Sequence, residues 1–181
     1  MKIVKKILIG IAGIVALLLI VALFVKKEYA VEREIVINKP KQEVFDYVKF
    51  LKNQDNYSKW NMMDPNSKRD FKGTDGTVGA TYFWDSQNED VGKGEQEITK
   101  ITEGERIDME LRFKIPFEST DNAYMTTEMI DSTQTKVRWG FNGKMPYPFN
   151  LMPVLCMMDM DEMLGGDLLI GLNNLKAVLE K

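Results

Sequence analysis

The chain has 181 residues, with 24 lysines and arginines against 27 aspartates and glutamates, one cysteine and no histidine. Without histidine there is no Ser-His-Asp triad, no Cys-His pair and no histidine-ligated zinc or haem, and one cysteine makes neither an internal disulfide framework nor a cysteine metal cluster. A net charge of −3 leaves no basic footprint for nucleic acid, and the length fits one domain.

The first element is an apolar run. Residues 7–25 are 19 consecutive uncharged residues, all apolar or glycine. As a helix, at ~1.5 Å per residue, they span roughly 28 Å, close to a hydrocarbon core. Lys2, Lys5 and Lys6 precede the run, and Lys26 and Lys27 close it, where long cationic side chains can snorkel into headgroups. A cleaved secretory signal peptide is the alternative, but the run is long for one and no small-x-small site follows it. Residues 1–28 are therefore expected to be a transmembrane anchor that meets the lipid bilayer through residues 7–25, and residues 29–181 a separate domain. The basic flank favours a cytoplasmic N-terminus and an extracytoplasmic domain. That bias disappears once Arg33, Lys39 and Lys41 are counted. Five of the 24 cations and one of the 27 acids lie in residues 1–28, so the remainder carries 19 cations and 26 anions, a net −7. An acidic body of this kind is repelled by anionic headgroups and by nucleic acid.

The domain opens with a predicted strand at 29–38, with Val31, Ile35 and Ile37 on one face and Glu32 and Glu34 on the other. Pro40 then starts a helix over 41–51, striped by Val44, Phe45, Val48 and Leu51. A polar stretch at 53–60 has room for a single helical turn, and 62–67 reads as loop. Strands follow at 68–72, 80–84, 92–102, 106–115, 123–129 and 135–143. The clearest is 106–115, where Ile107, Met109, Leu111, Phe113 and Ile115 alternate with Asp108, Glu110, Arg112 and Lys114. In 92–102, Ile98 and Ile101 fall on opposite faces unless a bulge intervenes. The C-terminal helix carries Met157, Met160, Leu164, Leu168, Leu172, Leu175 and Leu179 at steps of three and four. Gly165-Gly166 predicts a kink or break, with Asp167 capping a restarted helix. An antiparallel meander with one apolar face must cover that face, and only the C-terminal helix is long enough. The expected fold is α+β: a curved antiparallel sheet of about seven strands wrapped around a long C-terminal helix, plus one N-terminal transmembrane helix.

Four phrases carry a resemblance: Ile35-Val-Ile-Asn-Lys-Pro-Lys-Gln-Glu-Val-Phe-Asp-Tyr-Val, Val78-Gly-Ala-Thr-Tyr-Phe-Trp84, Thr135-Lys-Val-Arg-Trp139 and Gly171-Leu-Asn-Asn-Leu-Lys176. In this order they resemble the START-like helix-grip superfamily (SRPBCC), polyketide cyclase/dehydrase branch, across essentially all of 29–181. The resemblance implies a cavity between sheet and helix. It does not imply cyclase chemistry, because such folds host transporters and sensors as well as enzymes. Strand parity nominates Tyr82, Trp84, Met109, Leu111, Phe113, Met125, Thr127, Trp139 and Phe141 for the lining, and the helix adds Met157, Met160, Leu164 and Leu168. Six of the twelve methionines fall between 145 and 163, which suits a pocket for varied apolar ligands. The alternative is that these side chains fill a solid core.

Other motifs have plainer readings. Gly73-x-x-Gly76-x-x-Gly79 precedes a strand, not a helix, so it reads as a hairpin turn and not a phosphate cradle. Asp159, Asp161, Glu162 and Asp167 lie along a helix and cannot converge on calcium. Cys156, between Leu155 and Met157, reads as a buried, inert thiol, and Trp60 either closes the pocket mouth or packs under the first helix of the domain. Acid or base candidates by position are Glu95, Glu97 and Glu128, and parity puts Glu128 outside. Arg33 is the one charged residue on the inner face of the first strand that could orient a ligand carboxylate.

The reading is a membrane-anchored, non-catalytic binding domain for a small hydrophobic ligand, lipid-like, isoprenoid-like or polycyclic, with no cofactor, metal or nucleic acid. Two rivals stay open. One is a cyclase- or hydrolase-type enzyme using a pocket carboxylate; the other is a filled-core interaction module of the cell envelope.

Overall fold

The computed structural model describes residues 2–157 and 159–181. Helix α1 (Lys2–Phe24) has 23 residues and is roughly 35 Å long. It is long and apolar enough to cross a membrane, and Ala22 is its one buried residue. Its C-terminal end is fixed to the rest of the chain. Asn150 Nδ2 donates to Ala22 O at 2.8 Å and to Val25 O at 2.9 Å. These are carbonyls that a helix end leaves without an internal partner. Just beyond, Met145 N donates to Lys27 O at 2.8 Å.

Strand β1 (Glu28–Ile37) leads into α2 (Lys41–Val48), a 3₁₀ segment (Leu51–Asn56) and α3 (Lys59–Met63). The strands β2 (Lys68–Lys72), β3 (Thr81–Asp85), β4 (Lys93–Thr102), β5 (Arg106–Ile115), β6 (Ser119–Met129) and β7 (Thr135–Lys144) follow. They form one seven-stranded antiparallel sheet with the order β1-β7-β6-β5-β4-β3-β2. A short 3₁₀ turn (Phe149–Leu151), α4 (Met152–Leu155) and α5 (Met160–Leu179) complete the chain. This is the helix-grip architecture expected from the sequence.

Several elements differ from expectation in instructive ways. Helix α2 ends at Val48, yet Leu51 still packs with Val44, Phe45 and Val48 in the core, because the 3₁₀ segment continues the same apolar stripe. A register shift between Ile98 and Lys100 supplies the bulge that keeps both isoleucines inward: Ile98 pairs with Met109 and Ile101 with Ile107. Helix α5 is not broken at Gly165-Gly166. It runs unbroken from its cap, Asp159, whose side chain accepts from Asp161 N at 2.9 Å and Glu162 N at 3.2 Å. Asp167 caps nothing and instead pairs with Lys59.

The glycines of α5 serve contact, not interruption. Gly165 faces the Arg33 guanidinium, which occupies the space a Cβ would need. Gly171 faces Trp139, whose ring a Cβ would approach to 2.7 Å. Each glycine costs the helix up to ~1 kcal/mol in propensity, and tertiary packing offsets it: Leu168, Leu172 and Leu175 are fully buried against the sheet. Near the far end, Lys176 Nζ donates to Val36 O at 2.6 Å, tying the helix back to β1.

Candidate functional site

Between the sheet and α5 lies a cavity of about 460 Å³. One wall is aromatic. Trp84 and Phe113 meet edge to face with centroids 5.8 Å apart, Phe113 and Phe141 are 6.5 Å apart, and Tyr29 stacks on Phe141 at 6.2 Å. Trp60 from α3 stands edge-on to Trp139 at 6.2 Å, so it both lines the cavity and packs on the core. Met160, Leu164 and Leu168 of α5 form the opposite wall.

Of the thirteen residues nominated by sequence, the structure brings nine to this cavity: Tyr82, Trp84, Leu111, Phe113, Trp139, Phe141, Met160, Leu164 and Leu168. The other four lie elsewhere. Met109 and Met125 face inward but are sealed in the solid core, at 2% and 1% exposure. Met125 Sδ receives the Tyr57 hydroxyl at 3.5 Å, so the pocket stops short of it. Thr127 is buried and donates to Gly104 O at 2.9 Å, a bond that closes a turn. Met157 precedes α5 with φ of 50° and is 92% exposed. Cys156 beside it is also exposed, not buried.

The polar lining was largely missed. At one end Asp55 gathers three donors: Arg69 Nη1 at 2.8 Å, the Tyr82 hydroxyl at 2.7 Å and Asn61 Nδ2 at 2.8 Å. This cluster neutralises Arg69 internally. Burial, followed by the hydrogen bond to Asp55, raises the Tyr82 phenol well above its ordinary value. Deeper in, the amide nitrogens of Gln54 and Gln96, both buried, converge on Met109 Sδ, a weak acceptor that leaves most of their donor capacity unspent.

At the other end sits Asp121, 4% exposed, on the extension of β6 that precedes Ala123. Its carboxylate accepts from Lys144 N at 3.2 Å and from the Ser119 hydroxyl at 3.1 Å. No cationic side chain pairs with it among the described residues. Burial raises its pKa above the ordinary carboxylate value, against the lowering pull of those two hydrogen bonds. Burial, reinforced by the Asp121 charge, pushes the Tyr29 phenol up to about 12. Both residues had a sequence signal. Position 121 shares parity with Ala123 and Met125, and position 29 with Val31.

The charged candidates named from sequence lie outside the cavity. Glu95 and Glu97 each accept from Arg112 at 2.7 Å on the outer face, and Glu128 pairs with Arg138 at 2.9 Å. Arg33 lies across Gly165 and is held by Asp161 and Glu32. Its guanidinium bridges both carboxylate oxygens of Asp161, at 3.1 and 2.7 Å, and donates to Asp161 O and Glu32 O, each at 2.8 Å. It joins β1 to α5 with four of its five N–H groups, and it does not line the cavity. Among the described residues, no group of three or more His, Cys, Asp or Glu side chains is placed to hold a metal ion.

No protein-family model matches the sequence, and no curated protein matches it. Solved structures do. XoxI from Bacillus cereus aligns with a TM-score of 0.59 at 14% identity, over 84% of this chain and 96% of that one. A protein from Thermobifida fusca aligns at 0.55 and 16%, over 83% and 92%. Ara h 8.0201 aligns at 0.52 and 12%, over 84% and 97%. At these identities the likeness is one of fold, and it agrees with the helix-grip architecture described above.

Proposed function

We propose that this chain is a binding domain for a small, mainly hydrophobic ligand, with residues 29–181 as the binding body and residues 1–28 as a single-pass anchor. The observation that carries the reading is the cavity of about 460 Å³ lined mainly by aromatic and aliphatic side chains, within the size range of small-molecule sites. Burying about 200 Å² of apolar ligand surface, at ~25 cal/mol per Å², releases about 5 kcal/mol before ordering costs. The polar groups narrow the chemistry. Asp121 at one end, with no cationic partner, favours a ligand bearing a hydrogen-bond donor or an amine, because a buried carboxylate is stabilised most by an opposite charge. The amides of Gln54 and Gln96 favour a second polar substituent further along. The ligand class is thus an amphiphile with a lipid-like, isoprenoid-like or polycyclic body. The open volume counts against a filled-core interaction module. In this reading the N-terminus is cytoplasmic, the domain is extracytoplasmic, and the anchor keeps the cavity at high local concentration beside the bilayer.

The test is native mass spectrometry of the full chain released from its own membranes in mild detergent, followed by organic extraction of the bound fraction. Thermal unfolding is then measured against dodecylamine, dodecanol, laurate, farnesol and a polycyclic aromatic. A co-purifying adduct, or heat stabilisation by any apolar probe, supports the reading. A chain that carries nothing and responds to nothing overturns it.

Asp121 also gives the enzymatic alternative its one foothold, since a buried acid with a raised pKa beside a cavity is a candidate general acid or base. Release of a chemically altered product from a bound probe, abolished by Asp121→Asn, would favour that alternative.

A further inference from the structure

The chain is 28% charged, yet residues 145–158 contain no charged residue. Across this stretch the structure leaves Tyr147, Phe149, Met152, Val154, Leu155 and Met157 exposed, between 41% and 92%. Monomeric surfaces rarely leave so many large apolar side chains together without a partner. The stretch is not remote from α1. Asn150, at its centre, holds the carbonyls of Ala22 and Val25, and Lys27 lies over the Tyr147 ring at 5.9 Å.

The same end of the sheet carries a second apolar projection. β1 begins here, β7 ends here, and β5 turns into β6 here, because Lys144 N reaches Asp121 while Met145 N reaches Lys27 O. At that turn Phe117 is 80% exposed and Ile115 is 52% exposed. Ile115 and Pro116 line the cavity from this side, as does Met160 just beyond the uncharged stretch.

We infer that residues 145–157, together with the β5–β6 turn at Phe117, dock into the interface of a lipid bilayer and set the cavity rim against the membrane. The inference rests on the anchor reading of residues 7–25. The occupant is a lipid surface and not a protein groove for three reasons. The patch is joined directly to the end of a helix of membrane-spanning length. Lys26, Lys27 and Tyr147 lie at the junction, where cationic and aromatic side chains favour headgroups. Residues 145–157 carry no charge and Glu118 is the one charged residue beside Phe117 in the β5–β6 turn, whereas the rest of the body is acidic. An apolar ligand would then pass between bilayer and cavity past Ile115 and Met160 without crossing bulk water.

Cys156, exposed within the patch, is the chain's single cysteine, so the full chain can be labelled there with an environment-sensitive fluorophore and reconstituted into phosphatidylcholine/phosphatidylglycerol vesicles. The comparison protein carries Cys156→Ser and Ser132→Cys, which moves the label to the exposed β6–β7 turn at the opposite end of the sheet. Docking predicts that the label at 156 is quenched by acyl-chain spin-labelled lipid, and that iodide quenches it at least about threefold less than the label at 132. Met152→Asp with Leu155→Asp, both at exposed positions, should abolish the difference while near-UV circular dichroism is unchanged. Equal iodide quenching at the two sites, in protein that resists alkaline carbonate extraction, overturns the docking and leaves the anchor standing. Release of the protein by carbonate overturns the anchor and the docking with it.

Discussion

Trp139 of β7 rests on the bare backbone of Gly171 in α5. A Cβ at 171 would fall 2.7 Å from the indole Cζ3. The same indole meets Tyr57 edge to face at 5.7 Å and Trp60 at 6.2 Å, and the residue is 5% exposed. The gripping sheet and the gripped helix therefore touch through one large and one absent side chain. Trp139→Ala should cost ~3–5 kcal/mol. Gly171→Ala should cost ~1–3 kcal/mol by overpacking, reduced by a propensity gain of up to ~1 kcal/mol. The double variant should be more stable than the sum of the two predicts, since removing the indole relieves the clash. Urea unfolding of the four proteins in one detergent measures all three quantities, and strict additivity would mean that the two residues are not in this contact.

Ala123 projects from β6 into the cavity at 4% exposure, pairing across the ladder with Met109 and Phe141. Ala123→Phe should fill open volume without displacing packed atoms. Its melting temperature should stay within a few degrees of the parent, a change of about 1 kcal/mol or less, while stabilisation by apolar probes disappears. Undiminished stabilisation of the variant would place the ligand outside this cavity.

The faces of the sheet were legible in the sequence, but position along each strand was not. Alternation put Met109, Leu111, Met125, Thr127 and Trp139 on the inner surface, and that is where they lie. Parity says which way a side chain points, not whether space remains in front of it. Met109 and Met125 share parity with cavity residues yet sit toward the end sealed by α2 and Tyr57, so they are core. Asp121 was missed because apolar pattern alone started that strand at 123, and Tyr29, inside the predicted strand at 29–38, was not carried into the lining; both positions obey the same alternation as their lining neighbours. The unbroken α5 was illegible for a different reason. Gly165-Gly166 is a breaker by propensity, but here the Arg33 guanidinium occupies the space beside Gly165 and closes an ion pair with Asp161 at 2.7 Å. That contact is 128 residues distant in sequence, and no local pattern encodes it.

The Asp121 carboxylate should leave a signature in the pH dependence of stability. Burial raises its pKa in the folded chain, so the folded state binds protons more tightly there than the unfolded state. The stability it contributes is complete below the ordinary carboxylate value and is lost as pH rises through the raised one. Asp121→Asn should therefore melt higher than the parent at neutral pH, and the gain should vanish below about pH 4, the ordinary aspartate value. The same variant should abolish any preference for dodecylamine over dodecanol. A variant that melts lower at neutral pH, with the amine preference intact, would show that the carboxylate is held by its hydrogen bonds to Lys144 N and Ser119 and not by a vacancy for a cation.

Asn150 should couple α1 to the domain. Its Nδ2 group is shared between Ala22 O and Val25 O, and the residue is 2% exposed, so no water can replace it without a local opening. Asn150→Ala leaves both carbonyls unpaired, at about 1–3 kcal/mol for a buried polar group. Lys26 and Lys27 follow directly on those carbonyls and form a natural trypsin site. In vesicle-reconstituted protein, cleavage after either lysine should be slow in the parent and about tenfold faster in Asn150→Ala, since proteolysis tracks the population of the locally opened state. The domain's own melting temperature should change little, because the core of α5 on the sheet makes no use of Asn150. Equal cleavage rates in the two proteins would mean that α1 and the body are joined by a free linker, and that the orientation of the cavity rim is not set by this junction.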